Sequence, residues 1–499
     1  LDRAELCYLG ILFNSGRLYG GAFNLKDRID ATKPYAVIEE GGKPLPAGSG
    51  LAVHTALKPG KAFFAVVATD VSLKPLSKIV PGQSATTDAV EEKPAPIQAI
   101  KLHDSKERKG PYVNNTSITG KKGLSLHVVL HGSQATGGGA GEYGDYYLFF
   151  GNRDLAHRDG LPGVFSVSET RSPRGNHLVL RARDALEHPS GTRAMETYWL
   201  GYSCIPFHAT HKEPRFYPYT ERQLVWMIRW VVERYGIDAN RVTMGGSSSG
   251  GVGSMNVGFR HPELFAAVYP SVARVRKVPP IAIDGKRLAD PFMPDGMTRY
   301  YDHVDGPKFA RDHAGDLPFL GWACGRRDGY ATWQEHIDMV KAMRAGRHGF
   351  AFAWNNGDHS GGGKAMQLIA KHYPAEKFAR NRSYPAFRNS SLDHKMGKGD
   401  PADGDLEGGI NLGFDWKDVR DEPREWSVTL SNDLAKMDMT VDVTPRRCQQ
   451  FKPRPGAEVR WRSSTGGEGM LVADKHGLVT APGVVIQAGK GTKLTFGSP

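Results

Sequence analysis

Arg241-Val-Thr-Met-Gly-Gly-Ser-Ser-Ser-Gly-Gly-Val-Gly-Ser-Met255 decides how the rest of the chain is read. Val242 to Met244 is a short β-prone run, Gly246-Ser-Ser248-Ser-Gly250 has the G-x-S-x-G form of a nucleophile elbow, and the residues after it can continue as a helix. A serine at a tight strand-to-helix turn has a strained backbone, and the turn closes only where the residues two either side are nearly free of side chain. Gly246 and Gly250 meet that demand around Ser248, whereas Ser247 and Ser249 lack the paired glycines. A helix beginning after Ser248 also turns its free N–H groups and positive dipole end toward the place where an oxyanion forms in acyl transfer.

The flanks agree with this centre. Thr220-Glu-Arg-Gln223 has the form of a capping box, and Leu224 to Val232 is apolar apart from Arg229. Together they predict a buried helix ending near Gly236, a turn from Asp238 to Arg241, and then the strand. Arg260-His-Pro-Glu-Leu-Phe-Ala-Ala-Val268 predicts a helix end, a turn and another buried strand. Helix, strand, elbow, helix, strand is the middle of a doubly wound α/β sheet.

At 499 residues the chain exceeds one ordinary core, and it divides into an N-terminal β-domain (1–92), a catalytic α/β-domain (98–380) and a C-terminal β-domain (385–499). No apolar run approaches the roughly 20 residues of a membrane helix, so no membrane partner is expected. The net charge of +12 is spread along the chain without a recognisable nucleic-acid module, which argues against a nucleic-acid partner. It suits an anionic polysaccharide or a negatively charged particle surface. Cys7, Cys204, Cys324 and Cys448 have neither metal-ligand spacing nor a disulfide framework and read as single buried thiols. The chain begins at Leu1, so a removed export signal and a secreted or periplasmic location are the expectation.

Before residue 90, Leu51–Ala56 and Lys61–Ala68 read as strands with Pro59-Gly60 as the break between them. Such a module resembles a fibronectin type III domain. Glu91-Glu-Lys-Pro-Ala-Pro96 reads as a proline-stiffened linker.

Leu126-His-Val-Val-Leu-His-Gly132 reads as a buried strand running into a glycine-rich loop that ends near Gly141. In elbow hydrolases one oxyanion N–H comes from the residue after the nucleophile and one from such a loop, which here gives Ser249 with Gly132 or Ser133. From Gly144 to Pro214 the chain is aromatic and basic. Leu178–Leu180 and Tyr198–Leu200 read as strand pieces, and the region holds candidates for a wall around a bulky acyl group. Tyr202 from this region and Trp322 further on are expected to face substrate. His208 and His211 have one-face helical spacing but no third ligand, so neither a metal nor a cofactor is expected.

An acid and a base should follow the serine in that order. Leu317–Cys324 reads as a strand with Asp328 in the polar turn after it, then a helix from about Thr332 to Ala345. Phe350–Trp354 is the next strand, with His359 in a glycine-rich loop. Ser248, Asp328 and His359 thus each lie just past a strand end, on the edge where open α/β sheets carry their sites. His359 would take the Ser248 proton, and Asp328 would fix the imidazole. The rivals are Asp302, His303 and Asp305, in a segment read as a loop over the site, and Asp358, beside the histidine.

From about 125 to 375 the chain resembles α/β-hydrolase serine esterases of the polyhydroxybutyrate depolymerase and feruloyl esterase type. The resemblance is carried by the Leu-His-Gly strand exit, Met244-Gly-Gly-Ser-x-Ser-Gly-Gly251, the His-Pro-Glu-Leu-Phe-Ala-Ala-Val run, Gly325-x-x-Asp328-Gly329 and Gly357-Asp-His359. It implies a cofactor-free carboxylic ester hydrolase working through an acyl-enzyme, and with flanking β-domains an ester substrate linked to a polymer. The cysteines that one feruloyl esterase and tannase group carries beside the serine and histidine are absent. A peptidase on the same fold, and a polymer-binding protein with an inert hydrolase-like core, are the other classes the residues admit.

After Pro385, Asp400-Pro-Ala-Asp-Gly-Asp-Leu-Glu407 reads as a solvated acidic turn, its spacing not being that of an EF-hand calcium loop. Met437, Met439, Val441 and Val443 alternate with polar residues, as do Trp426, Val428 and Leu430, which predicts strands.

Overall fold

The computed structural model describes residues 123–132, 165–172, 175–182, 197–201, 218–276, 278–280, 289–293, 295–400 and 402–497. It also describes residue 216 and short pieces at 36–37, 60–65, 77–92, 101–102, 113–116, 186–187 and 194–195. The strand expected at Leu51–Ala56, the loop from Ser133 to Gly141, Tyr202, His208, His211, Cys7 and Cys204 lie outside the described residues.

A nine-stranded sheet carries the centre of the molecule. Its strands are β1 (Val113–Thr116), β2 (Ser125–Leu130), β3 (Phe165–Ser172), β4 (Gly175–Ala182), β5 (Val242–Ser247), β6 (Ala267–Ser271), β7 (Phe319–Gly325), β8 (Phe350–Asn355) and β9 (Gly408–Ile410). Across the sheet they run β9-β8-β7-β6-β5-β2-β4-β3-β1. From β8 to β4 every neighbouring pair is parallel, while β9 and β3 are antiparallel to their inner neighbours. Parallel strands must be covered on both faces, and β7 is accordingly buried at every position.

Register sets the working edge. Gly246 of β5 pairs with Leu130 of β2 on one side and Pro270 of β6 on the other, and Ser247 pairs with Ser271, itself level with Ala323 of β7. The residues that leave these strands therefore emerge together at the carboxyl edge.

Helices α1 (Tyr219–Arg234), α2 (Ser249–Arg260) and α3 (Trp333–Ala345) pack on this sheet. In α1, Leu224, Val225, Ile228 and Val231 fall on one face and are buried, each such side chain contributing about 1.5–3 kcal/mol. The capping box expected at Thr220 does not form. The helix starts at Tyr219, the Thr220 hydroxyl accepts from Thr197 Oγ1 at 2.8 Å, and the Glu221 N–H donates to the Leu200 carbonyl. Tyr198 and Trp199, expected in a strand piece, form a left-handed turn at φ 51° and 62°. The segment around Asp302 is helical too, as Tyr300–Val304 and Gly306–Asp312.

The described part of the N-terminal region includes a two-stranded pairing of Gly60–Ala62 with Val90–Glu92, so Glu91 and Glu92 belong to a strand and not to a linker. Past residue 385 the alternation appears as read for Met439, Val441 and Val443, all buried, but Met437 lies outside the strand and exposed. Five antiparallel strands, among them Glu425–Asn432 and Thr492–Gly497, and three more led by Tyr384–Arg388 make two further sheets. Their core is continuous with the central one: Phe319 of β7 stacks on Phe378 at 4.2 Å, and Trp426 Nε1 donates to Ser383 Oγ at 3.0 Å. Buried Arg446 reaches Asp316 at 2.8 Å, and Arg447 donates to the Phe265 carbonyl at 2.7 Å. β9 completes the edge of the main sheet, so among the described residues the two regions share a core and a sheet. Among the described residues no helix is long and apolar enough to cross a membrane.

Candidate active site

A run of parallel strands in this order, with a strand–serine–helix turn at its carboxyl edge, is the α/β-hydrolase fold, and the chain's reactive groups are found on that edge. Ser248 joins β5 to α2 at φ 56° and ψ −120°, a left-handed conformation costing of order 1–3 kcal/mol for a residue with a side chain. Its N–H donates to the Ser271 carbonyl of β6 at 2.9 Å, and its carbonyl accepts from Val252 in the first turn of α2. The flanking glycines are steric necessities. A Cβ on Gly250 would stand 2.3 Å from the Leu130 carbonyl oxygen, and one on Gly246 2.5 Å from the Gly250 backbone.

His359 Nε2 lies 2.9 Å from Ser248 Oγ, and His359 Nδ1 lies 2.8 Å from Asp328 Oδ2. The second carboxylate oxygen of Asp328 accepts from the N–H groups of Tyr330 (2.8 Å) and Ala331 (3.2 Å), so the turn after β7 aims the carboxylate. Two further bonds, from the N–H of Arg326 to Asn355 and from that of Arg327 to Gly357, tie the acid turn to the histidine loop. Burial raises the Asp328 pKa, but the His359 hydrogen bond and the Tyr330 and Ala331 N–H groups outweigh it and hold the carboxyl below its ordinary value. The hydrogen bond to Asp328 lifts the His359 pKa, with the Asp328 charge adding to it and burial opposing. Such a chain of bonds can accept a proton from Ser248 Oγ and keep the resulting imidazolium in place.

The other sequence candidates fall as follows. Ser249 is the first residue of α2, where N–H groups have no helical acceptor. Gly132 lies against the elbow: a Cβ there would be 2.9 Å from the Ser247 carbonyl oxygen and 3.4 Å from Ser248 Cβ. Its backbone is therefore beside the nucleophile, as an oxyanion loop requires. Trp322, expected to face substrate, does not. It is buried in β7, stacked on Phe352 at 4.6 Å and beside Phe350, because both faces of a parallel strand are covered; it offers no wall to a substrate. Asp358 caps the short helix His359–Gly362, accepting from Gly361 N at 2.9 Å. Asp305 caps the helix Gly306–Asp312, and His303 is paired with Glu221 at 4.0 Å.

Three residues at this edge were not anticipated. Tyr330 packs edge-on to the His359 ring at 5.1 Å, and Arg274 lies 5.9 Å above the Tyr330 ring. Arg326, one residue past β7, is buried against Trp333, and its guanidinium donates to the carbonyls of Asp400, Asp403 and Asp405. The acidic loop is thus wound around a fixed organic cation. Its aspartate side chains accept from loop N–H groups, as Asp403 does from Lys398 and Asp405 from Lys395. The adjacent Arg326-Arg327-Asp328 signals a charged turn, but nothing local signals acceptors more than 70 residues downstream.

No protein-family model matches the chain, and no curated protein does. Among solved structures it is similar to a ferulic acid esterase (18% identity, 51% of this chain and 84% of that one, TM-score 0.30). It is also similar to an S-formylglutathione hydrolase from Agrobacterium tumefaciens (15%, 50% and 80%, 0.30). A third likeness is to Porphyromonas gingivalis dipeptidyl peptidase 4 (13%, 52% and 31%, 0.32), so the chain spans about a third of that peptidase's length. At these TM-scores the likenesses add nothing to the strand order and elbow geometry.

Proposed function

We propose that this chain is a serine hydrolase cleaving carboxylic esters through an acyl-enzyme on Ser248. The reading is carried by the unbroken sequence of short bonds from Ser248 Oγ through His359 to Asp328 at a strained strand-to-helix turn. Ser248 Oγ attacks the ester carbonyl carbon while its proton passes to His359 Nε2. The oxyanion forms toward the first N–H groups of α2 and the Gly132 backbone. Collapse expels the alcohol, which leaves with the proton from His359. A water then gives its proton to the same nitrogen, attacks the acyl carbon, and frees the acid and Ser248.

The finer reading is an ester borne on a polymer, such as a feruloylated or acetylated polysaccharide or a polyester, met outside the cytoplasm. The net charge of +12 supports it, since many such surfaces are acidic.

The test measures hydrolysis of p-nitrophenyl esters of increasing acyl length, methyl ferulate and peptide p-nitroanilides by wild type and Ser248→Ala, with fluorophosphonate labelling of both. Ester turnover that drops by about 10⁴-fold or more in Ser248→Ala, together with loss of labelling, supports the assignment. Turnover of anilides but not esters would move it to a peptidase. Equal activity of the two proteins would sink the triad.

A further inference from the structure

The loop leaving β6 carries a strained residue at the working edge, as the nucleophile turn does. Val272, β-branched and buried, sits at φ 42°, held by its N–H to the Ala323 carbonyl at 2.8 Å. A left-handed valine is a conformation the fold must impose, and such positions gather at sites of function. Its effect here is to turn the chain so that Ala273 packs on α2, at the position of Gly251, and Arg274 lies over the Tyr330 ring that packs on His359.

Glu335 of α3 holds that projection. One of its oxygens accepts from Arg274 Nη2 at 3.0 Å; the other accepts from the N–H groups of Val275 and Arg276, both at 3.3 Å. The neighbouring Arg276 is paired with two carboxylates, Asp338 at 2.9 Å and Asp305 at 3.4 Å, whereas Arg274 is paired with Glu335 alone. Its Nε is buried and out of a ligand's reach, so the donor left over is Nη1, which no acceptor among the described residues faces, in a side chain that keeps 22% of its surface open. The two steps of 5.9 Å and 5.1 Å, guanidinium to Tyr330 ring and ring to His359, bound its distance from the catalytic imidazole.

We infer that Arg274 is a specificity residue, and that its unspent donor receives a carboxylate carried by the substrate a few bonds from the scissile ester. Glu335 fixes the guanidinium in advance, so little side-chain freedom is lost when the anion arrives. The substrate class is then a half-ester of a dicarboxylic acid, or an ester on a polymer with an acid group near the linkage. This deepens the esterase reading and rests on it.

The experiment compares kcat/KM for the mono-p-nitrophenyl esters of succinic, glutaric and adipic acids with that for neutral p-nitrophenyl esters of matched chain length. Wild type should favour one of the acidic esters, and in Arg274→Met the acidic-to-neutral ratio should fall about 10- to 100-fold, the range for losing a charged hydrogen bond. Arg274→Lys should keep part of the preference. If Arg274→Met fails to fold because Glu335 is left buried without its cation, the Arg274→Met/Glu335→Gln double variant carries the same ratio test. A wild type with no acidic preference, or a preference that survives in the methionine variant, overturns the inference while leaving the esterase intact. A wild type inert to every ester and to fluorophosphonate overturns both, and the neutral esters tell the two failures apart.

Discussion

Replacing Arg326 with methionine should loosen the molecule from a point next to its catalytic acid. In the native fold the guanidinium is about 1% exposed, lies 4.8 Å from the Trp333 ring, and donates to three backbone carbonyls of the loop from Asp400 to Asp405. Methionine fills much of the same volume but donates nothing. Three backbone carbonyls then lose a charged donor at about 1–3 kcal/mol each, although that of Asp405 still accepts from Trp354 Nε1, and the stacking on Trp333 is lost as well. Against this stands the desolvation of a buried cation, which the variant no longer bears. With the lost hydrogen bonds partly offset by that relief, the net cost should be about 3–5 kcal/mol. For a cooperative unit of this size that lowers Tm by roughly 6–15 °C. Thermal unfolding by circular dichroism reads the first quantity. Trypsin cleavage at the exposed Lys395 and Lys398, which flank the loop, reads the second and should speed up before global melting. Arg326→Lys should fall between, since one ammonium cannot span three carbonyls. A Tm within about 2 °C of wild type, with unchanged trypsin sensitivity, would refute the reasoning.

The remaining expectations concern the site and its support. Because the raised His359 must be neutral to act as base, kcat/KM should rise with pH through a midpoint above the ordinary histidine value of about 6.5. Asp328→Asn removes the cause, so it should move that midpoint down and lower kcat by about 10⁴-fold; an unmoved midpoint in a pH–rate profile counts against the pairing. For stability, the raised His359 contributes fully below its unfolded value and loses that contribution as pH rises through its folded one. The depressed Asp328 contributes above its unfolded value and loses it as pH falls through its folded one. Urea midpoints should therefore fall off on both sides of a mildly acidic window in wild type, and less so in Asp328→Asn. Gly250→Ala drives a methyl into two backbone carbonyls and should cost roughly 3 kcal/mol or more with loss of labelling at Ser248, whereas a soluble, active variant contradicts the elbow geometry. Trp322→Phe should cost about 1–3 kcal/mol in urea unfolding and leave the ranking of ester substrates unchanged; an altered ranking would restore Trp322 to the pocket.

Legibility in the sequence followed the range of the interaction. Ser248 was readable because steric demand acts over two residues, and its glycines have no other cheap reason to be there. Asp328 and His359 were readable because each follows a continuous apolar run ending in a polar turn, so strand order alone brings them to one edge. Trp322 was misread for the same reason: a β7 that exposes nothing looks in sequence like a strand with one face to spare, and only the helices on both sides settle it. The Thr220 signal failed because Thr197, 23 residues earlier, competes for its hydroxyl. Arg326 and Arg274 were beyond reach, since an arginine is by default a solvated group, and what makes these two different is a loop and a helix remote in the chain.

The placement of β9 has a consequence for how the protein is made. Until residues after about 405 have left the ribosome, β8 is an open edge of Phe350-Ala-Phe-Ala-Trp354, and Arg326 has nothing to grip. At a synthesis rate of about 5–20 residues per second, the nascent chain carries that sticky apolar edge for seconds while its nucleophile elbow is already out. The acid turn gains its anchor only when the loop from Asp400 to Asp405 arrives.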